Sequence, residues 1–260
     1  MKKKINLPFQ LNRNTLYWIA GSIVVYLFFL LLYLPASVAL SMLSLPPGIH
    51  LSGISGTAWS GQASYVSIRG VQAGSLKWKL SPWSFLLANP TAKISILKDK
   101  QFILTTASVS FAGKTSLQDT RFNIQLSTLQ PLIYGMPFAY DGQVAGFFSD
   151  IYFSRDQYIG INGKLSLSGL KLTSPQQQYL GNYIATFRQE QAGASSIEVS
   201  TTEAELKIDA KIVLEKNGLA RISAELAAAS PGNAIDKMIS MLGKKDSQGR
   251  VMLRQQFKLW

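Results

Sequence analysis

A run of 19 uncharged residues near the N-terminus limits what this chain can fold into. Residues Leu16 to Leu34 read LYWIAGSIVVYLFFLLLYL. At ~1.5 Å rise per residue, one helix of this length nearly matches the roughly 30 Å hydrocarbon core of a bilayer. Trp18 and Tyr33 lie near the ends of the run, where aromatic rings prefer the level of the headgroups. We predict one transmembrane helix over residues 16–34, with Leu16, Trp18, Tyr33 and Leu34 as anchor residues.

The charges on the two sides of this run predict its orientation. Four cations precede it: Lys2, Lys3, Lys4 and Arg13. The first cation after it is Arg69. Since positive charge is retained on the cytoplasmic side, we expect residues 1–15 to form a cytoplasmic tail and the rest of the chain to be exported.

The residues directly after the run leave one alternative open. Ser37-Val38-Ala39 has the small residues of a signal-peptidase site, and cleavage there would leave a mature N-terminus at Leu40. The apolar run is longer than the roughly 7 to 15 residues of a signal-peptide core, which favours a permanent anchor. We expect residues 35–48 to be a linker, in which the membrane helix continues until Pro46-Pro47-Gly48 ends it.

From residue 49 onward, apolar and polar residues alternate with a period of two. In SLKWKLS, residues 75–81, leucine and tryptophan alternate with lysine. This alternation is typical of a strand with one buried face. Around Gly169 the apolar row changes phase, which indicates a bulge. We predict a mainly β domain over residues 49–260, formed by a curved, largely antiparallel sheet.

One segment near the C-terminus has helical spacing instead. In SPGNAIDKMISMLG, apolar residues recur at i, i+3, i+4 and i+7: Ile235, Met238, Ile239 and Leu242. Ser230 is a candidate N-cap, Pro231 a candidate first helical residue and Gly243 a candidate C-cap. We expect a short helix that packs on the sheet, with binding of a partner protein as the alternative.

Composition and charge restrict the partners. The chain is 47% hydrophobic and 15% charged, so it has enough apolar surface for a folded domain. It has 26 Lys and Arg against 14 Asp and Glu, a formal net charge of +12. A basic surplus suits anionic lipid headgroups or acidic proteins. The cations are scattered and lack the clustering of a nucleic-acid interface, so we predict no nucleic-acid partner.

The residues needed for common catalytic and metal sites are scarce. The chain has no cysteine and one histidine, His50, and it lacks a nucleophile elbow, a Walker loop and a calcium-binding loop. Glu203 and Glu205 should share one face of a strand, an arrangement more typical of solvated surface than of an acid–base pair. A Ser/Lys dyad stays open, because geometry alone would reveal it. We predict no catalytic residue, no metal and no cofactor.

Glycine and tryptophan are concentrated between residues 51 and 87. Gly53, Gly56 and Gly61 surround Trp59, and Trp78 follows on the next predicted strand. Such dense glycines allow tight turns or close approach of backbones, and a tryptophan among them can cover the open end of a sheet. We expect a structural corner, with a ligand or partner contact at Trp59 as the alternative.

This passage resembles the N subunit of bacterial type II secretion systems, the general secretion pathway protein N family. That family has a Leu-Pro-Ala-like exit from its single span, matched by Leu34-Pro35-Ala36, and an L-x-G-x-x-G-T-x-W-x-G signature, matched by residues 51–61. An L-x-W-x-L-x-P pattern is matched by residues 76–82, and a Leu-Gly-x-x-D-x-x-Gly-Arg turn by residues 242–250. The signature residues, for which we expect a structural role, are Gly53, Gly56, Thr57, Trp59, Gly61, Trp78 and Pro82.

The resemblance implies a single-span accessory component of the bacterial inner membrane. Such a component would take part in exporting folded proteins from the periplasm across the outer membrane, through contacts with other inner-membrane secretion proteins. The resemblance also implies similarity to AsmA-like envelope proteins, whose curved sheets form grooves associated with lipid transport. Lipid binding or transfer is therefore the alternative function. The family has no established catalytic residues, so none is carried over.

Overall fold

The computed structural model describes residues 13–42, 45–86, 89–110, 113–132, 139–153, 159–174, 177–190, 194–215 and 217–258. The N-terminal cations Lys2, Lys3 and Lys4 lie outside the described residues.

The first helix, α1, spans Arg13–Leu32. Its segment Asn14–Leu32 is long and apolar enough to cross a membrane, and none of it is buried against the rest of the chain. It starts earlier than the predicted residue 16 and ends two residues before Leu34. The Leu34 N–H bonds to the Leu31 carbonyl three residues back, which is the tightened last turn common at helix ends.

The expected continuation of this helix past Pro35 is wrong. Pro35 has extended backbone angles, φ −62° and ψ 141°, and forms an isolated antiparallel bridge with Thr57. A separate short helix, α2, follows over Ala36–Ser41. Because the residue before a proline avoids the helical region, the chain leaves the helix at this point and turns towards the sheet.

Thirteen strands of the described chain form one antiparallel sheet, in which neighbouring strands are consecutive in sequence and the first and last strands are the edges. They are β1 Ile49–Gly56, β2 Ser60–Ile68, β3 Val71–Leu80, β4 Thr91–Lys98, β5 Gln101–Val109, β6 Thr115–Gln125, β7 Ala139–Phe153, β8 Ile159–Ser174, β9 Gln178–Gln189, β10 Ser195–Ala204, β11 Leu206–Leu214, β12 Leu219–Ala228 and β13 Val251–Lys258. Mostly short connections make sequential neighbours the natural partners. The prediction of a mainly antiparallel β domain is confirmed.

The bulge predicted at Gly169 is confirmed. The pairing of β8 with β9 shifts register between Leu167 and Leu170, and Gly169 has a φ of +63°, which favours glycine. The extra residue resets the alternation, so that Leu170 and Leu172 pack against the buried core cluster.

The predicted C-terminal helix, α5, spans Ala234–Leu242 and ends at Gly243 as expected. Its N-cap is Asn233, whose side chain accepts a hydrogen bond from the Asp236 N–H at 2.7 Å. The assignment of Ser230 as the cap was wrong, because the chain first passes through a turn at Gly232, where φ is +80°. Asparagine is as good an N-cap as serine.

Two short helices were not predicted from the sequence. They are α3, Pro82–Leu86, and α4, Leu126–Leu129, which is followed by a 3₁₀ turn at Gln130–Leu132. Each is about one helical turn long, too short to produce a recognisable hydrophobic period.

The best-buried core lies where α5 packs on the last strands. Ile235 and Ile239 of α5 are each 1% exposed and Val251 of β13 is fully buried, in a cluster completed by Leu180 and Leu226. The other members of the predicted helix stripe, Met238 and Leu242, are exposed.

Candidate functional site

The connection between β1 and β2 holds the end of α1. The carbonyls at the end of a helix can accept hydrogen bonds from groups outside it. The Trp59 Nε1–H donates to the Leu31 carbonyl at 2.8 Å, and the Ala58 N–H donates to the Leu34 carbonyl at 2.8 Å. Together with the bridge between Pro35 and Thr57, these bonds tie α1 to the first hairpin. We call residues 57–59 the junction loop.

The junction loop is itself held by the sheet. The Trp78 Nε1–H donates to the Ala58 carbonyl at 3.1 Å, and the Leu80 N–H donates to the Trp59 carbonyl at 2.7 Å. Both donors belong to β3. The loop is thus bonded to α1 on one side and to β3 on the other, which restricts how the helix and the sheet can move relative to each other.

Two glycines of the signature permit this arrangement. Gly56 has a φ of +89°, and a Cβ there would lie 2.5 Å from the Ser60 carbonyl oxygen. A Cβ at Gly61 would lie 2.8 Å from Cε2 of the Trp78 ring. The indole therefore lies directly on the backbone of Gly61, in the space that any larger residue would fill.

The remaining predicted site residues occupy separate places. Gly53, with φ +66°, lies within β1, and Pro82 begins α3. Among the anchor residues, Trp18 is 80% exposed and Tyr33 is 72% exposed. Leu16 is also exposed, whereas Leu34 is half-buried at the junction.

An unbroken apolar ladder crosses the sheet. One register position of each strand aligns with the next, and all thirteen residues in this row are apolar or glycine: Ile54, Ala63, Leu76, Ile96, Ile103, Phe122, Gly146, Leu165, Ala185, Val199, Ala210, Ala224 and Leu253. Because side chains of adjacent residues point to opposite faces, this row defines one face of the sheet, which we call the apolar face.

The neighbouring register position gives the opposite face a different character. Its row consists mostly of polar and charged residues: Ser55, Gln62, Lys77, Ser95, Leu104, Arg121, Phe147, Lys164, Thr186, Glu198, Lys211, Ser223 and Arg254. The sheet is therefore amphipathic along its whole width, as expected when one face of an antiparallel sheet meets water.

Aromatic rings fill the middle of the apolar face. The Phe122 and Phe148 rings are stacked with centroids 5.9 Å apart, and Phe148 meets Phe187 edge to face at 5.1 Å. The Phe122 ring lies over Gly146, and the Phe148 side chain lies over Gly163. Bulky rings over glycine cover backbone that would otherwise be bare.

Short helices cover only parts of this face. Contacts join α2 to β1 and β2, α4 to β6 and β7, and α5 to β12 and β13. Of the thirteen residues in the ladder, Ala63 and Ala210 are buried and the others are half-buried. The apolar face thus keeps accessible hydrocarbon surface between its covered places.

The described residues offer little for catalysis. They contain no group of three or more His, Cys, Asp or Glu side chains that could hold a metal ion. His50 is exposed at the start of β1. The expectation that Glu203 and Glu205 share a strand is wrong. The tenth strand ends at Ala204, and Glu205 lies in the turn, where it accepts a hydrogen bond from the Gln178 side chain at 2.8 Å.

Sequence reasoning identified Trp59 and Trp78 but missed their partners. The acceptors are the backbone carbonyls of Leu31 and Ala58. Every residue has a backbone carbonyl, so the sequence does not show which carbonyl will accept a bond from a given side chain. Only the path of the folded chain determines that.

Comparison with known proteins gives a consistent result. The family described as Type II secretion system (T2SS), protein N matches residues 47–254. A type II secretion system protein N of Vibrio cholerae serotype O1 is 27% identical over 232 residues, which cover 87% of this chain and 92% of that protein. The protein of the same description from Klebsiella pneumoniae is 27% identical over 256 residues, covering 94% and 96%.

A third relative and the solved structures complete the comparison. A type II secretion system protein N of Aeromonas hydrophila is 33% identical over 103 residues, 39% of this chain and 40% of that protein. No solved structure matches the chain. Because the matched residues 47–254 span the sheet almost from end to end, this chain belongs to the type II secretion system protein N family.

Proposed function

We propose that this chain is an accessory inner-membrane component of the type II secretion system. In this proposal residues 1–15 are cytoplasmic, α1 crosses the inner membrane, residues 35–48 form the linker and residues 49–260 fold in the periplasm. The cations before α1 and the apolar character of the helix support this orientation. The family is a component of a secretion apparatus and is not known as a family of enzymes.

The observation that carries the proposal is the bonded junction between the helix and the sheet. A loosely tethered domain would need only a flexible linker, whereas here Trp59 donates to the Leu31 carbonyl of α1 and Ala58 donates to the Leu34 carbonyl just after it. The signature residues then have a structural role, which is to present the sheet at a fixed place beside the membrane. From there the domain aids export of folded proteins across the outer membrane by contacting other inner-membrane secretion proteins.

Release of the domain from the membrane tests this proposal. Residues 1–35 are replaced by a cleavable signal peptide in a strain whose own copy is deleted, and secretion of an exported enzyme into the medium is measured. We expect the released domain to support far less export than the full chain. Export equal to that of the full chain would refute a role that depends on anchoring.

A matched control separates tethering from the junction. In this control α1 is replaced by an unrelated apolar helix of the same length, with residues 33–36 kept. Because the bonds to the junction loop use backbone carbonyls, the foreign helix should still be held and should restore export. In membranes, crosslinking from the face of the sheet opposite the apolar face should then capture another inner-membrane secretion protein.

Lipid handling is the second candidate function, and the half-exposed apolar face favours it. Eleven of the thirteen residues in its ladder keep some solvent contact, although burial of such surface is worth about 25 cal/mol per Å². An acyl chain on this face would recover that free energy. Mass spectrometry of the purified full chain tests the idea, since a chain recovered without co-purifying lipid would contradict it.

A further inference from the structure

A hollow on the face of the sheet opposite the apolar face contains three lysines and no carboxylate. It has a volume of about 440 Å³ and lies over β1 to β4. Lys77, Lys79 and Lys93 line it, together with Gln62 and the hydroxyl groups of nearby serines. All three lysines are exposed. The hollow is thus rich in hydrogen-bond donors and in positive charge.

The lysines of this hollow lack partners within the described part of the chain. Lys79 and Lys93 are directly opposite each other on paired strands, and like charges in that arrangement repel. None of the ion pairs among the described residues involves these lysines. An anion bound between them would relieve the repulsion and would use the ammonium donors.

The hollow lies close to the end of the membrane helix. Trp59 donates to the Leu31 carbonyl of α1, and its own carbonyl accepts from the Leu80 N–H. Leu80 directly follows Lys79 in β3. Lys79 also pairs with Ser60, which directly follows Trp59. The lysines are therefore separated from the end of α1 by only a few bonded residues. In the proposed anchoring, this end of α1 lies at the level of the lipid headgroups.

Two exposed aromatic side chains near the hollow support a position of the lysines at the bilayer surface. Trp83 lies on α3, directly after the end of β3, and its side chain is 75% exposed. Tyr33, at the end of the span, is 72% exposed. Exposed tryptophan and tyrosine side chains are enriched at the level of the headgroups.

From this geometry we infer that Lys77, Lys79 and Lys93 form a binding site for the phosphate headgroup of an anionic phospholipid. The inference rests on the proposed membrane anchoring and goes beyond it. It gives the sheet a second point of contact with the bilayer, separate from α1. Two attachments, one apolar and one electrostatic, would fix the tilt of the sheet on the membrane.

The test uses the full chain in detergent, titrated with phosphatidylglycerol or phosphatidylcholine, with the affinity for each measured by native mass spectrometry. The variant combines Lys77→Gln, Lys79→Gln and Lys93→Gln. Three lysines at an anionic surface should account for about 100-fold in preference for the anionic lipid, which the variant should lose. The single variant Lys93→Gln should lose about fivefold and protects the test against misfolding of the triple variant.

The matched control removes the same charge elsewhere. Lys100, Lys207 and Lys244 are exposed lysines outside the hollow, and the combined Lys100→Gln, Lys207→Gln and Lys244→Gln variant should keep the preference. Retained preference in the hollow variants, or equal loss in the control, would overturn the inference. Displacement of phosphatidylglycerol by excess inorganic phosphate would assign the site to free phosphate instead.

The lipid titration and the export assay can refute the lipid site and the proposed function independently. Export by the released domain equal to that of the full chain would refute a role that depends on anchoring, while leaving the lipid titration unchanged. Conversely, a chain without lipid preference could still require its span for export.

Discussion

Substitution of Gly61 tests whether the signature is a packing requirement. Gly61 does not have a positive φ, so alanine there meets no backbone strain. Its Cβ would instead lie 2.8 Å from Cε2 of Trp78 and 2.9 Å from the Ser55 carbonyl oxygen. The indole cannot move freely, because its Nε1–H is bonded to the Ala58 carbonyl at 3.1 Å.

The expected cost of Gly61→Ala follows from three contributions. Overpacking costs about 1 to 3 kcal/mol, and a lost hydrogen bond costs about 1 kcal/mol. Alanine returns about 0.4 to 1 kcal/mol by restricting the unfolded chain. The net decrease in the free energy of unfolding is therefore about 2 kcal/mol.

Urea unfolding of the full chain in detergent, followed by circular dichroism, measures this decrease. With a slope of roughly 3 kcal/mol per molar urea, the midpoint should fall by about 0.7 M. In a Trp78→Ala background the clash with the ring is gone, so Gly61→Ala should cost at most about half as much there. An equal cost in both backgrounds, or an unchanged midpoint in the first, would refute the packing argument.

Three further predictions concern single groups. Trp59→Phe removes the bond to the Leu31 carbonyl, worth about 1 to 2 kcal/mol, so hydrogen exchange of the Ala58 amide should accelerate about five- to thirtyfold. No acceleration there would contradict the junction bonds. The pKa of Asp246 is lowered by backbone hydrogen bonds from Arg250 and Gln248 and by the Arg250 side chain. The charged carboxylate stabilises the fold above its unfolded pKa near 3.8, and this contribution is lost as pH falls below that value. The Asp246→Asn variant should therefore lose less stability in acid than the unmodified chain does. Equal losses would contradict a stabilising role of this carboxylate. Burial, with a smaller effect of Tyr179, raises the pKa of Tyr183 to about 12. The neutral phenol therefore stabilises the fold below pH 10, and this contribution is lost between pH 10 and about 12. The difference in phenolate absorbance between the unmodified chain and Tyr183→Phe should titrate near 12. Titration near 10 would contradict burial of the hydroxyl group.

Local sequence patterns predicted the elements that depend on local physics. The alternation in residues 75–81 reappears as β3, and the phase change at Gly169 reappears as a bulge. The spacing of Ile235 and Ile239 predicted α5 and its buried contacts. Each of these patterns lies within a few residues, and its period follows from the geometry of a single helix or strand.

The candidate site could be predicted only in part. Trp59 and Trp78 stood out because dense glycines surround them, and the motifs they belong to identified the family correctly. The bond from Trp59 to the Leu31 carbonyl joins residues 28 positions apart and depends on the turn at Pro35. The lysine hollow likewise exists only because β2, β3 and β4 are neighbours.

By itself, the sequence determined that one uncharged segment can cross a membrane and that the strands after it have one apolar face, because both properties follow from the period and length of local runs. Tertiary structure decided that α1 ends at Leu32, that the junction loop holds it, and which parts of the apolar face the short helices cover. A period-two pattern specifies which side chains share a face but contains no information about what packs on that face. That choice depends on where distant segments of the chain meet.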